Sequence, residues 1–88
     1  LAFQEALRNL TSNHTPEDYA MVQNNLGTAY SMLAEAEREN RGDNLMKAMQ
    51  AYEEALAIYT SGDYPKYHKK VKANLEKAKQ MFEVYART

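Results

Sequence analysis

The chain has 88 residues, of which 44% are hydrophobic and 26% charged, with no Cys and a formal net charge of −1. That length holds at most one domain, and the composition argues against disorder while excluding disulfide scaffolds, Cys-based zinc sites and thiol catalysis. Three Gly and two Pro are too few for the turns of a β-sandwich or barrel, no apolar run approaches the ~18 residues of a membrane span, and no signal-peptide pattern is visible.

Polar punctuation at Thr11–Pro16, Asn40–Asn44 and Thr60–Pro65 divides the chain into four helical patterns. The first (about 1–11) sets Phe3, Ala6, Leu7 and Leu10 on one face at steps of three and four. The second (about 16–40) does so with Tyr19, Val22, Leu26, Ala29, Tyr30 and Leu33. Thr15 suits its N-cap, Pro16 its first position, and Glu17 and Asp18 the positive end of its dipole. Gly42 suits a left-handed residue after this helix, and Asp43 or Asn44 the cap of the next. The third (about 44–60) uses Leu45, Ala48, Met49, Tyr52, Ala55, Leu56 and Tyr59, and Gly62 ends it. The fourth (about 65–87) uses Val71, Leu75, Ala78, Phe82 and Tyr85. No stretch alternates with period two, so the expected fold class is all-α.

The small net charge hides a split. Residues 1–65 carry four Lys/Arg against ten Asp/Glu, and residues 66–88 carry seven against two. The basic part begins at the boundary of the last predicted helix.

Displaced by 49 positions, the sequence meets itself. Phe3 pairs with Tyr52, Glu5-Ala6-Leu7 with Glu54-Ala55-Leu56, Thr11-Ser12 with Thr60-Ser61 and Pro16 with Pro65. Val22 then pairs with Val71, Asn25-Leu26 with Asn74-Leu75 and Ala29 with Ala78. Helical hairpins that recur at a fixed period are the signature of an α-solenoid.

Leu26-Gly27-x-x-Tyr30, followed by Ala48-x-x-x-Tyr52 and Ala55, resembles the tetratricopeptide repeat, W-x₂-L-G-x₂-Y…A-x₃-F…P. The Trp position holds Gln23, and Pro65 comes later than the pattern expects. Tyr30 to Ala48 is about nine residues longer than in the usual ~34-residue repeat, so the chain is most similar to longer-repeat members of the kinesin light chain kind. The resemblance implies antiparallel hairpins stacked as a short right-handed α-solenoid of four helices. Residues 1–14 would be the second helix of a partial repeat, 15–63 one full repeat, and 64–88 the first helix of the next repeat or a capping helix. Gly27, Ala48 and Ala55 would let helices approach, with Tyr30, Tyr52 and Phe3 filling the space beside them. Glu76 and Lys79 stand where the full repeat has Gly27 and Tyr30, which suits a solvated terminal helix. About one and a half to two repeats, in a chain that starts inside a helical pattern, are expected of a piece of something longer.

Catalytic chemistry has little support. His14 and His68 are expected as solvated residues, and there is no H-E-x-x-H, G-x-S-x-G, phosphate-binding Gly-rich loop or EF-hand loop. The run Glu35–Glu39 reads as a solvated helix end with pairing such as Glu37 to Arg41, and Glu53-Glu54 as an exposed face. No enzyme, metal or cofactor is expected.

In the tetratricopeptide family the first helix of each repeat lines a concave groove that receives an extended peptide. By position, that groove would hold Met21, Asn24, Asn25, Thr28 and Ser31 from the second predicted helix. Lys70, Ala73, Asn74, Lys77 and Met81 would come from the fourth. Asn24, Asn25, Thr28, Lys70, Asn74 and Lys77 are the candidate peptide-binding residues. An Asn amide donates and accepts, so it pairs with any peptide unit, and the two lysines favour an acidic segment. Each also reads as an ordinary surface residue without a ligand.

The expected function is therefore a cytoplasmic protein-interaction module for a protein or peptide partner, with an acidic segment favoured. The alternative is a structural or oligomerising segment without a ligand of its own, self-associating through the far side of its N-terminal helix, with Leu1, Ala2 and Met21 as candidate contacts. Membrane and nucleic acid are disfavoured as partners, because the lysines scatter around the last helix and no RNA-stacking motif accompanies them.

Overall fold

The computed structural model describes residues 15–87, which form three α-helices: α1 (Pro16–Ala36), α2 (Arg41–Ile58) and α3 (Pro65–Arg87). The described residues contain no strand. The first predicted helix, with the candidate contact at Leu1 and Ala2 and the turn at His14, lies outside the described residues.

Local chemistry starts α1 where the sequence places it. Thr15 adopts an extended conformation and its Oγ1 accepts from the Asp18 N–H at 3.3 Å, with Pro16 occupying the first helical position. The other end departs from expectation. The helix stops at Ala36 rather than near residue 40, because Glu37 turns to extended backbone and the polar residues beyond it offer nothing to bury. Arg41 reaches back over this end: its Nε donates to the Ala34 carbonyl at 2.6 Å and its Nη2 to that of Glu35 at 3.4 Å. These bonds satisfy carbonyls that the helix terminus leaves unpaired. The guanidinium thus serves as a cap, in place of the expected i,i+4 pair with Glu37. Among the described residues the ion pair that forms is Lys79 with Glu76, at 3.6 Å.

The second turn also corrects the sequence reading. Asn40, at φ 60°, is the left-handed residue, so α2 begins at Arg41 and neither Asp43 nor Asn44 caps it. Gly42 lies in the first turn with ordinary φ, buried against the Tyr85 ring. The absence of a side chain there serves a close approach instead of a turn. Gly62 likewise has no positive φ, and α2 ends at Ile58 ahead of it.

The helices form a single layer. α2 packs against both α1 and α3, whereas α1 and α3 scarcely touch, and the smallest principal extent is 14 Å. The core joins Ala20 of α1 to Ala48, Tyr52, Ala55 and Tyr59 of α2 and its turn, and to Val71, Leu75 and Ala78 of α3. On α2 and α3 this is the predicted face, with Tyr85 corrected to exposed. On α1 the buried stripe is displaced by one position, to Ala20, Gln23, Gly27 and Ala34. Val22, Leu26 and Ala29 are half-buried and Leu33 is exposed. Small residues win the contact because α2 sits close: a Cβ on Gly27 would come within 2.7 Å of the Tyr52 ring. The ridge of one helix enters the groove of the other where side chains are smallest. Tyr30, expected to fill the core, is half-buried beneath the Lys47 ammonium, 5.6 Å from its ring centroid.

Candidate functional site

Because α2 holds α1 and α3 apart, a groove opens between the outer two helices, with Tyr52 of α2 at its floor. Its inner part is a pocket of about 110 Å³ lined by Thr28, Ser31, Tyr52, Asn74 and Lys77, among others. Its outer part widens to about 840 Å³ toward the C-terminal ends of α1 and α3. There Arg38, Arg41 and Lys77 line it together with Met81, Val84 and Tyr85, and Glu35 borders both parts.

The structure brings together four of the six candidate residues. Asn74 of α3 donates from Nδ2 to Oδ1 of Asn24 on α1 at 3.2 Å, bridging the two helices. Thr28 and Lys77 line the inner pocket with Asn74. Asn25 and Lys70 are exposed and do not line it. Asn25, which the 49-residue displacement matches to Asn74, is exposed, and the residue of α1 that meets Asn74 is Asn24, one position earlier. That follows from the displaced stripe of α1: the side of the helix toward α3 carries Asn24, Thr28 and Ser31, at steps of four and three.

Hydrogen bonds organise the pocket. The single hydroxyl hydrogen of Thr28 goes to the Asn24 carbonyl at 3.1 Å. In its 3.0 Å contact with Tyr52, Thr28 is therefore the acceptor and Tyr52 the donor. The Tyr52 oxygen, on a side chain only 3% exposed, keeps lone pairs for another partner. Ser31 was placed on this face by the sequence, and the structure adds that its Oγ is buried without a hydrogen-bond partner.

A second polar cluster closes the opposite end of the layer. Gln23, at the position where the repeat pattern has Trp, is buried and donates to the Tyr19 hydroxyl at 2.9 Å. Tyr19 in turn donates to Glu54 Oε2 at 3.2 Å, so Glu54 is a bonded member of the helix contact as well as an exposed residue. Nearby, Tyr64 donates to the Glu17 carboxylate and Tyr59 to the Glu17 backbone carbonyl, 3.2 Å away. The Tyr64 contact holds the Glu17 carboxyl below its ordinary value, and the same bond pushes the Tyr64 hydroxyl up to about 12. Burial, with nearby phenolic and carboxylate charge, pushes Tyr59 up as well. Tyr67 stacks on Tyr59 at 4.9 Å, and His68 places Nδ1 2.9 Å from the Tyr59 carbonyl. This His is a bonded element of the turn, not the solvated residue expected.

No cluster of three or more metal-ligating side chains occurs among the described residues, and no described helix is long and apolar enough to cross a membrane. No family model, curated protein or solved structure matches the chain.

Proposed function

We propose that the chain is a protein-interaction module of tetratricopeptide-like helical repeats, acting in the cytoplasm, whose α1–α3 groove holds an extended segment of a partner. The observation that carries this reading is the convergence of Asn24, Thr28, Asn74 and Lys77 between two helices that α2 keeps apart. The single-layer arrangement supports the repeat reading, since each helix of a solenoid packs on its sequence neighbours. The groove supplies hydrogen-bonding groups along a strip and, at its wide end, three cations against Glu35. An acidic segment suits that end. No catalytic role belongs to this reading, and α3 serves as the solvated outer helix.

The test is titration by fluorescence polarisation with labelled acidic dodecapeptides and with neutral peptides of matched length. Acidic peptides bind more tightly, Lys77→Ala and Asn74→Ala each weaken them at least about threefold, and Asn25→Ala leaves them unchanged. Equal affinity across these three variants would sink the groove assignment.

A further inference from the structure

The wide end of the groove gathers charge that nothing in the described residues answers. Its lining holds three cations, Arg38, Arg41 and Lys77, against one anion, Glu35, an excess of two positive charges. None of the three is in an ion pair, since the pair formed among the described residues is Lys79 with Glu76. Like charges drawn to one cleft repel, and an entering anion relieves that repulsion. The carbonyl ends of α1 and α3 lie at the same end and oppose an anion. Arg41 already covers the Ala34 and Glu35 carbonyls, and Arg87 stands in the last turn of α3.

The cleft is also partly set before any ligand arrives. Arg38 and Arg41 share one tight turn, in which the Arg41 N–H donates to the Arg38 carbonyl at 3.2 Å. The Arg41 guanidinium is fixed through Nε and Nη2, which leaves the Nη1 hydrogens to donate. A donor fixed in advance loses less freedom on binding. Two features then choose among anions. A phosphomonoester carries about −1.5 to −2 at neutral pH and three acceptor oxygens, so it meets the charge excess that one carboxylate meets only in half. Guanidinium forks suit its oxygens. The space, about 840 Å³, exceeds what a phosphate alone fills, and its α3 flank is apolar. There Val84 is 61% exposed and Tyr85 43%, the Tyr85 ring resting on Gly42. An aromatic ring laid on that flank takes both from water.

We infer that the wide end takes the side chain of a phosphotyrosine in the partner segment, its phosphate on Arg38, Arg41 and Lys77 and its ring on Val84 and Tyr85. The inference rests on the groove reading for its biological partner and deepens it. The acidic character favoured at this end becomes a dianion on an aromatic stem, where an Asp or Glu supplies one charge on a short aliphatic one.

The test needs no identified partner. Isotope-labelled chain is titrated, by amide-correlation NMR, with the N-acetyl N-methylamides of phosphotyrosine, sulfotyrosine and phosphoserine at neutral pH and one ionic strength. The expected result is shifts centred on Arg38, Arg41, Gln80 and Val84, with the phosphotyrosine derivative bound at least about fivefold more tightly than the other two. Arg38→Ala and Lys77→Ala each weaken it about threefold, and Val84→Ser weakens it without changing phosphoserine. Lys72→Ala, on an exposed residue that does not line the cleft, leaves all three unchanged. These four side chains are exposed, so the variants keep dispersed spectra, and Arg41 is left intact because it caps α1. Sulfotyrosine as tight as phosphotyrosine would mean that any aryl anion is accepted. Phosphoserine as tight would mean that the ring contributes nothing. An equal loss with Lys72→Ala would mean diffuse attraction to a basic helix, and absent shifts up to the solubility limit an empty cleft. Each of these results overturns the inference. Failure of the groove reading shows separately, as dodecapeptides insensitive to Asn74→Ala.

Discussion

Gly27 of α1 lies directly against the ring of Tyr52 on α2, so that a Cβ at position 27 would stand 2.7 Å from Cε1 and 2.8 Å from Cδ1. The ring cannot yield. It is 3% exposed within the core cluster, and its hydroxyl is held by Thr28. Gly27→Ala gains up to ~1 kcal/mol of helix propensity but forces an overpacked contact that costs about 1–3 kcal/mol. The expected net effect is a loss of about 1 kcal/mol in urea unfolding. An unchanged or higher midpoint would show that the two helices separate cheaply.

Gly42 meets a ring in a superficially similar way, 2.7 Å from Cε2 of Tyr85, and the outcome should be opposite. The atoms in contact form the far end of a side chain that is 43% exposed near the end of α3, so the ring can swing outward. Gly42→Ala should therefore keep most of its propensity gain and stabilise the chain by about 0.5 kcal/mol. Thermal unfolding by circular dichroism compares the two substitutions. A loss as large as that of Gly27→Ala would contradict the distinction.

The Asn24–Asn74 bridge is a direct polar tie between the outer helices, and its removal should be modest and specific. A double-mutant cycle of Asn24→Ala and Asn74→Ala should give a coupling of about 0.5–1 kcal/mol. The same cycle with Asn25→Ala should give none, since Asn25 is exposed.

Glu17 and Tyr64 predict a pH dependence with a definite sign. The carboxyl of Glu17 titrates below its ordinary 4.5 in the folded chain, chiefly through the Tyr64 hydroxyl. Its contribution is therefore fully present above about pH 4.5 and lost as the pH falls below that value through the folded-state pKa. Between about pH 6 and pH 3 the urea midpoint of the native chain should fall further than that of Tyr64→Phe. Parallel curves would remove the linkage. At the alkaline end, ultraviolet titration should show a tyrosine ionising near pH 12 that Tyr64→Phe lacks.

Much of the architecture was legible because helix signals are local. Thr15, Pro16 and Pro65 mark starts whose chemistry depends on a few neighbouring residues, and the apolar periodicity of α2 and α3 pointed to the faces they bury. What was not legible depends on how closely two helices approach. Val22 and Leu26 have the periodicity of the core of α1, yet the contact goes to Ala20 and Gly27, because α2 comes closer than large side chains permit; of these, only Gly27 beside Tyr52 is expected from the sequence. The role of Gly42 was misread for a related reason: a Gly beside polar residues signals a turn, and the ring that needs its bare Cα lies 43 residues away in Tyr85. Of the six residues that the resemblance pointed to, Asn24, Thr28, Asn74 and Lys77 lie together between α1 and α3. Ser31 was visible as a groove residue, with no signal in the sequence that its hydroxyl would stay unpaired.

A layer one helix thick has a mechanical consequence. The two walls of the groove are fastened to α2 separately, and the Asn24–Asn74 bond is a light strap between them. Either wall can therefore pivot while its own seam with α2 stays closed, and the cleft can widen or narrow without exposing the Tyr52 seam. A ligand bonded to both walls would act as a clasp on that pivot. Its arrival would register as slower amide exchange in α1 and α3 together, with α2 already the slowest of the three.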